Sequence, residues 1–462
     1  MTIIQKEAET DNAILKCCQG FMKRFEIKQL LRQANATKEK GVPVYEIFTF
    51  LLGLVFSGKN LYALMVSCQE KVPCGKDAVY RFLNKSTTNW NRFVIELARL
   101  VIPQVDRLTK EERASVLIID DSAYYRNRSK NVEMLSRCWD HVKKQYYKGL
   151  TLLVVGWSDG QTFLPVDFRL VASSNDENLL EDAVVKTDNR TLATKRRIDA
   201  RKEKPALVLE MLQAIKGTAA QAKYVLFDSW FTSPSSLLAI RKLGYHVVAR
   251  LKNHEKHLYV YQGERLAINS IYRKCKKRRG KARYLLCVEV LVQHKNFPSS
   301  IPAQIVYVRD RTDRKKWIAL ISTDMSMSAE EIIALYGKRW DIETFFKFIK
   351  SYLQLAKEFQ TRSYDAMVAH TAIVLTRYTL LSLENRENKD DRTIGVLFYL
   401  ACKELEDISF AHAFELLLET LRQSLSDYAH LSKLHIDSFI SQFMDRLPTF
   451  LKAKLRLSLC ES

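Results

Sequence analysis

The spacing of apolar positions changes twice along the 462-residue chain. Up to about residue 105 the apolar positions recur at helical intervals. They predict helices over Tyr45–Phe56, Leu61–Gln69 and Lys76–Leu83, separated by Ser57-Gly58-Lys59-Asn60 and by a break at Pro73–Gly75. The third helix carries Lys76, Tyr80 and Arg81. Two short helices, a turn and a basic helix suit a helix-turn-helix DNA reader, and they suit an ordinary helical bundle equally well.

After Lys110 short β-branched runs take over. Ser115–Ile119 predicts a strand ending at Asp120 and Asp121. Leu150–Trp157 and Thr162–Leu170 predict two more, joined by a hairpin turn at Ser158-Asp159-Gly160. Lys204–Lys216 has helical spacing, and Tyr224–Phe227 is a short strand ending at Asp228. Pro234–Leu243 predicts a helix, with Pro in its first turn and Gly244 past its end. Tyr245–Leu251 returns to a strand. Three strands, helix, strand, helix, strand is the order of an RNase H-like α/β domain, a mixed sheet with flanking helices.

That order divides the chain into a helical region over 1–105, an RNase H-like domain over 112–251 and 303–384, a β-rich insertion over 252–302 and a helical C-terminal region over 385–462. The insertion holds strand-like runs at Leu258–Tyr261 and Tyr284–Val292. Ile305–Arg309 and Trp317–Thr323 then lead into one long helix, Ala329–Leu353. The stretch Ala366–Leu383 is apolar but carries Arg377 in its middle, so it reads as a buried core helix. Ile47–Gly58 is too short to span a bilayer.

Composition narrows the classes. Hydrophobic residues at 47% and charged residues at 27% can bury real cores, which argues against disorder. A net charge of +21, from 73 Lys and Arg against 52 Asp and Glu, points to a polyanionic partner. The nine cysteines form no Cys-x-x-Cys pair, which argues against structural zinc, and their odd number suits reduced thiols in a cytosol. No basic, apolar, small-residue leader opens the sequence, so a cytoplasmic location is expected.

The candidate chemistry lies on the long helix. At about 100° per residue, Tyr336, Arg339, Glu343 and Lys350 fall within an arc of roughly 60°. Leu335, Ile342, Phe345, Phe346 and Ile349 fill the neighbouring arc and would anchor the helix. A carboxylate binds a hard cation through oxygen, and Arg and Lys beside it hold phosphate oxygens. A solvated face of ordinary ion pairs has the same spacing. Asp120 and Asp228 at strand ends suit a site on the sheet, although Asp also ends strands simply as a turn former.

Tyr336-x2-Arg339-x3-Glu343-x6-Lys350 resembles the Tyr-Arg-Glu-Lys signature of a large group of bacterial insertion-sequence transposases with a DDE catalytic core. Ile118-Ile119-Asp120-Asp121-Ser122 resembles their first-aspartate motif, and Val225-Leu226-Phe227-Asp228-Ser229 their second. The β-rich insertion before the glutamate matches as well, and the resemblance spans roughly residues 112–355. It implies that Asp120, Asp228 and Glu343 are the catalytic residues and hold two Mg2+ or Mn2+ ions. Asp120 and Asp121 are adjacent; the Asp-x-Ser pattern selects Asp120. The resemblance further implies that Tyr336, Arg339 and Lys350 bind DNA. The partner would be double-stranded DNA, both terminal inverted repeats and target, with a homodimer in the paired-end complex. The implied reaction is cleavage at the element's ends followed by strand transfer. A nuclease that cuts without joining, and a non-catalytic DNA-binding derivative, remain as alternatives.

The densest basic run holds Lys274, Lys276, Lys277, Arg278, Arg279, Lys281 and Arg283. It is expected to form the turn of a basic hairpin along a DNA backbone. Lys195, Arg196, Arg197, Arg201 and Lys202 make a looser cluster. His254 and His257 read as surface residues.

Overall fold

The computed structural model describes residues 13–57, 60–67, 73–109, 113–140, 143–183, 190–220, 222–278, 282–310, 313, 316–359, 361–387, 414, 417–425, 433–447 and 451. Among the described residues six helices come first: α1 (Ala13–Arg24), α2 (Ile27–Gln33), α3 (Val44–Leu54), α4 (Leu61–Ser67), α5 (Lys76–Leu83) and α6 (Trp90–Arg107). The Asn89 side chain caps α6 by accepting the Arg92 N–H. The inner face of α6 buries Trp90, Phe93, Leu97, Val101 and Val105. The three N-terminal helices expected from apolar spacing lie within two residues of where the sequence puts them.

Among the described residues eleven strands form one mixed sheet. They are β1 (Val116–Tyr125), β2 (Ser136–Asp140), β3 (Gln145–Ser158), β4 (Phe163–Val171), β5 (Tyr224–Phe227), β6 (His246–Arg250), β7 (Leu258–Tyr261), β8 (Glu264–Ala267), β9 (Leu286–Val292), β10 (Ile301–Arg309) and β11 (Trp317–Ser322). Their order is β2-β3-β1-β5-β6-β11-β10-β9-β7-β8, with β4 also on β3. β1, β3 and β4 pair antiparallel, while β1, β5 and β6 run parallel. This mixed α/β arrangement is compatible with the RNase H-like order expected. The strands of the 252–302 stretch continue the same sheet beyond β10.

Two helices, α7 (Leu192–Ala200) and α8 (Lys204–Ile215), follow β4, and α9 (Pro234–Lys242) links β5 to β6. A short helix α10 (Ile268–Lys274) precedes β9. The expected single helix over 329–353 is two helices, α11 (Ala329–Gly337) and α12 (Trp340–Ser351). Lys338 and Arg339 form the joint, where N–H groups reach back three residues: Lys338 to Leu335 and Arg339 to Tyr336. The joint is fastened to the β3–β4 hairpin. Lys338 Nζ donates to the carbonyls of Ala114 (2.5 Å) and Asp159 (3.2 Å). Ser158 Oγ donates to Asp341 Oδ2 at 2.6 Å. Gly160 in that turn has φ +88°, and a Cβ there would stand 3.0 Å from Lys338 Cε.

Helix α13 (Tyr364–Glu387) is long and apolar enough to cross a membrane, yet Tyr364–Leu383 is buried throughout, as the Arg377 within it predicts. The helix runs against α3, α5, α6 and β4. Arg377 Nη1 and Nη2 donate to Glu358 at 2.8 and 2.9 Å, and Nε donates to the Leu52 carbonyl at 3.0 Å. Nη2 also reaches the Leu51 carbonyl. One buried guanidinium thus caps the end of α3 and ties the N-terminal helices to α13.

Another expectation needs correction. β1 does not stop at Asp120 but continues to Tyr125, because β3 pairs with it along its whole length, Val116 with Ser158 through Tyr125 with Gly149. The basic run begins in α10 and leads to β9, with the Arg278 N–H donating to the Leu285 carbonyl at 2.8 Å; Arg279 and Lys281, within its expected turn, lie outside the described residues. In the looser cluster, Arg197 is buried between Glu133 and Asp365, and Arg196 also holds Asp365, so these two cations serve packing. Of the 385–462 region, residues 417–425 and α14 (Lys433–Arg446) are described as helices, with a small apolar cluster at Leu418, Ile436 and Ile440.

Candidate active site

The register of the central strands sets the first two carboxylates side by side. β5 pairs with β1 only from Val116–Tyr224 to Ile119–Phe227. The next residues in that parallel register are Asp120 and Asp228, on strands about 4.8 Å apart. Beyond Phe227, β1 has no neighbour on its β5 side, so Asp120, Asp121 and Ser122 border a cavity of about 660 Å³. Asp228, Arg339, Glu343 and Lys350 line the same cavity.

α12 brings the third carboxylate. Ile342, Phe345, Phe346, Phe348 and Ile349 bury its inner face, and Phe345 packs against Phe163 of β4 at 4.8 Å. Lys338 and Asp341 fix its start to the hairpin, so Arg339, Glu343 and Lys350 turn toward β1. Arg339 Nη1 donates to Asp120 Oδ2 at 3.2 Å, and Nη2 donates to Glu343 Oε1. Lys350 Nζ donates to Ser122 Oγ at 2.6 Å, which explains the serine of the Asp-x-Ser pattern. Asp121 pairs with Lys204 instead.

The charges are tuned by burial. The Asp120 carboxyl is pushed up to about 7 by burial and by the negative Asp121 and Asp228, against the pull of Arg339 and of the Asp121 N–H. Burial likewise lowers the Lys350 ammonium to about 8. Tyr336 stands behind Arg339, whose guanidinium carbon is 5.8 Å from its ring, and burial pushes its hydroxyl up to about 12. Tyr336 is not on the cavity wall. Neither are Lys274, Lys276, Lys277, Arg278 and Arg283. Lys274 pairs with Glu264, and Arg278 lies 4.1 Å over the Tyr284 ring.

Sequence reasoning missed several cavity residues: Tyr125, Trp139, Asp140, Lys143, Lys204, Trp230 and Lys252. Trp230, two positions after Asp228, was findable by proximity; its ring has the ammonium groups of Lys204 and Lys252 each at 5.5 Å. Tyr125 lies on the second half of β1, and the others come from distant segments and give no local signal.

Among the described residues, no three His, Cys, Asp or Glu side chains stand close enough together to hold a metal ion. Arg339 lies between Asp120 and Glu343 and holds both. The donor chemistry still fits a hard divalent cation. Asp120, Asp228 and Glu343 present carboxylate oxygens to one cavity, a donor set of the kind such an ion takes.

A family model described as DDE superfamily endonuclease matches residues 47–317, more than half of the chain. The chain belongs to the DDE superfamily of endonucleases. The match takes in both Asp120 and Asp228 of this DDE endonuclease and ends before Arg339 and Glu343, so the third carboxylate rests on its place in the cavity. No curated protein matches the sequence. Membership makes the protein a nuclease- or transposase-class enzyme with DNA as the implied substrate.

Proposed function

We propose that this DDE endonuclease is an insertion-sequence transposase with the Tyr-Arg-Glu-Lys signature on an RNase H-like core. It cuts DNA at the element's ends and joins those ends to target DNA. The observation that carries this reading is the cavity shared by Asp120, Asp228 and Glu343, with Arg339 and Lys350 on the same wall as the glutamate. Asp120, Asp228 and Glu343 would hold the divalent ions, Mg2+ or Mn2+ and two by resemblance. Bound there, the ions supply activation of the attacking oxygen and stabilisation of the leaving one.

The chain's own groups do the rest. Arg339, released from the carboxylates, is placed to hold a phosphate oxygen, and Tyr336 braces it from behind. Lys350 adds a second positive charge over β1, oriented by Ser122. Lys143, Lys204 and Lys252 extend the positive lining toward the path of the strand. The basic residues between Lys274 and Arg283 contact duplex farther from the chemistry.

The N-terminal helices read the terminal inverted repeats, and the C-terminal region pairs two protomers on two ends. Because Arg377 holds α3 from α13, the full chain is the proper subject of a binding test. Lys76→Glu with Arg81→Glu should remove preference for end-sequence over random duplex. The joining step is tested by incubating purified protein with end-sequence DNA, a target plasmid and Mg2+. Joined products support a transposase. Cut ends that never join would leave a nuclease and overturn the transposase reading.

A further inference from the structure

The ribbon formed by β2 and the start of β3 carries a surface that the catalytic groups do not use. In β2, Ser136, Cys138 and Asp140 turn inward while Arg137 and Trp139 turn out. In β3, Tyr147 turns inward while Tyr146 and Lys148 turn out. The register sets Trp139 opposite Tyr146 and Arg137 opposite Lys148, so the four outward side chains form one patch. Trp139 is 43% exposed and Tyr146 56% exposed. Their rings meet at 4.9 Å and 71°, and the Arg137 guanidinium lies 4.1 Å over Tyr146.

The chemistry of the patch selects its occupant. Exposed aromatic rings interleaved with cations match a nucleic-acid strand whose bases are unstacked. Stacked bases of an intact duplex offer phosphates and groove edges and leave such ring faces unused. A protein partner would favour a centre depleted of charge. The patch is also continuous with the active site, because Trp139 lines the same cavity as Asp120, Asp228 and Glu343.

We propose that Arg137, Trp139, Tyr146 and Lys148 form a stacking subsite for an unpaired stretch of a DNA strand at the mouth of the cavity. This rests on the reading of the protein as a DNA-cutting enzyme. Bases freed at a frayed or nicked end stack on Trp139 and Tyr146, while Arg137 and Lys148 hold the flanking phosphates. The strand is thereby held with its backbone leading toward the carboxylates.

The test is fluorescence anisotropy of the full chain with labelled oligothymidylate and with a blunt duplex of equal length. Trp139→Ala and Tyr146→Ala should each weaken oligothymidylate binding at least about fivefold, the smaller end of what base stacking supplies. Trp139→Phe should retain most of it, and duplex binding should change less than about twofold. Unchanged oligothymidylate affinity in both alanine variants, or an equal loss for both DNAs, overturns the subsite and leaves the cleavage reading standing. Failure of the wild-type protein to bind either DNA would overturn the cleavage reading itself.

Discussion

Arg339 Nη1 lies 3.2 Å from Asp120 Oδ2, while its other arm holds Glu343, so a single guanidinium spans two carboxylates, one from β1 and one from α12. It supplies the positive charge between these two carboxylates. With Arg339→Gln, Asp120, Asp121, Asp228 and Glu343 would face one another with that charge gone. The variant should therefore melt lower than wild type in EDTA and show a larger rise in melting temperature on adding Mn2+. A Mn2+-induced rise no larger than the wild-type one would show that Arg339 does not compensate the site.

The raised Asp120 carboxyl gives a pH signature. Its folded value of about 7 lies above its ordinary 3.8, so between those values the folded protein keeps a proton that the unfolded chain releases. Stability from this group is therefore lost as pH rises through the window. Asp120→Asn removes the loss. In EDTA, urea denaturation should show the variant gaining on wild type between pH 5 and pH 8, by on the order of 2–4 kcal/mol. An advantage no greater at pH 8 than at pH 5 would contradict the assignment.

Lys350 titrates in the opposite sense. Burial holds its ammonium at about 8, so its positive charge fades as pH rises past that value. If it grips phosphate, wild-type affinity for duplex DNA should fall about 2- to 5-fold between pH 7 and pH 9 at constant ionic strength. Lys350→Arg keeps its charge throughout and should flatten the profile. Parallel profiles for the two proteins would remove Lys350 from the phosphate contacts.

Much of this site was legible in the sequence, for identifiable reasons. The runs before Asp120 and Asp228 are β-branched and apolar, so β5 and the first half of β1 were visible. The second half of β1, Asp121–Tyr125, reads as polar and aromatic; it is extended because β3 pairs with it, a tertiary effect. β2 was invisible for the same reason, and with it went the cavity residues Trp139 and Asp140. The joint at Lys338 and Arg339 was hidden because Lys and Arg favour helices and the apolar stripe continues from Leu335 to Ile342 across the break. The burial of Arg196 and Arg197 was not legible, since their partners Glu133 and Asp365 lie far along the chain.

Arg377 tests how the N-terminal helices are held. Its guanidinium is fully buried, pairs with Glu358 and caps α3 through Leu51 and Leu52. Arg377→Met leaves the Glu358 carboxylate buried beside His370 alone. The expected cost is about 3–5 kcal/mol in chemical denaturation. Adding Glu358→Leu should recover part of it, because the stranded charge is then gone. A loss below about 1 kcal/mol in the single variant would show that this contact does not hold the helices together.

The most direct test of the whole account is nicking of duplex DNA by the purified full-length protein with Mg2+ or Mn2+, compared across Asp120→Asn, Asp228→Asn and Glu343→Gln. The wild-type protein should nick only with the metal, and each folded variant should lose at least about 100-fold if these carboxylates hold the metal as proposed. Retention of metal-dependent nicking by Glu343→Gln would contradict a site built from these three carboxylates.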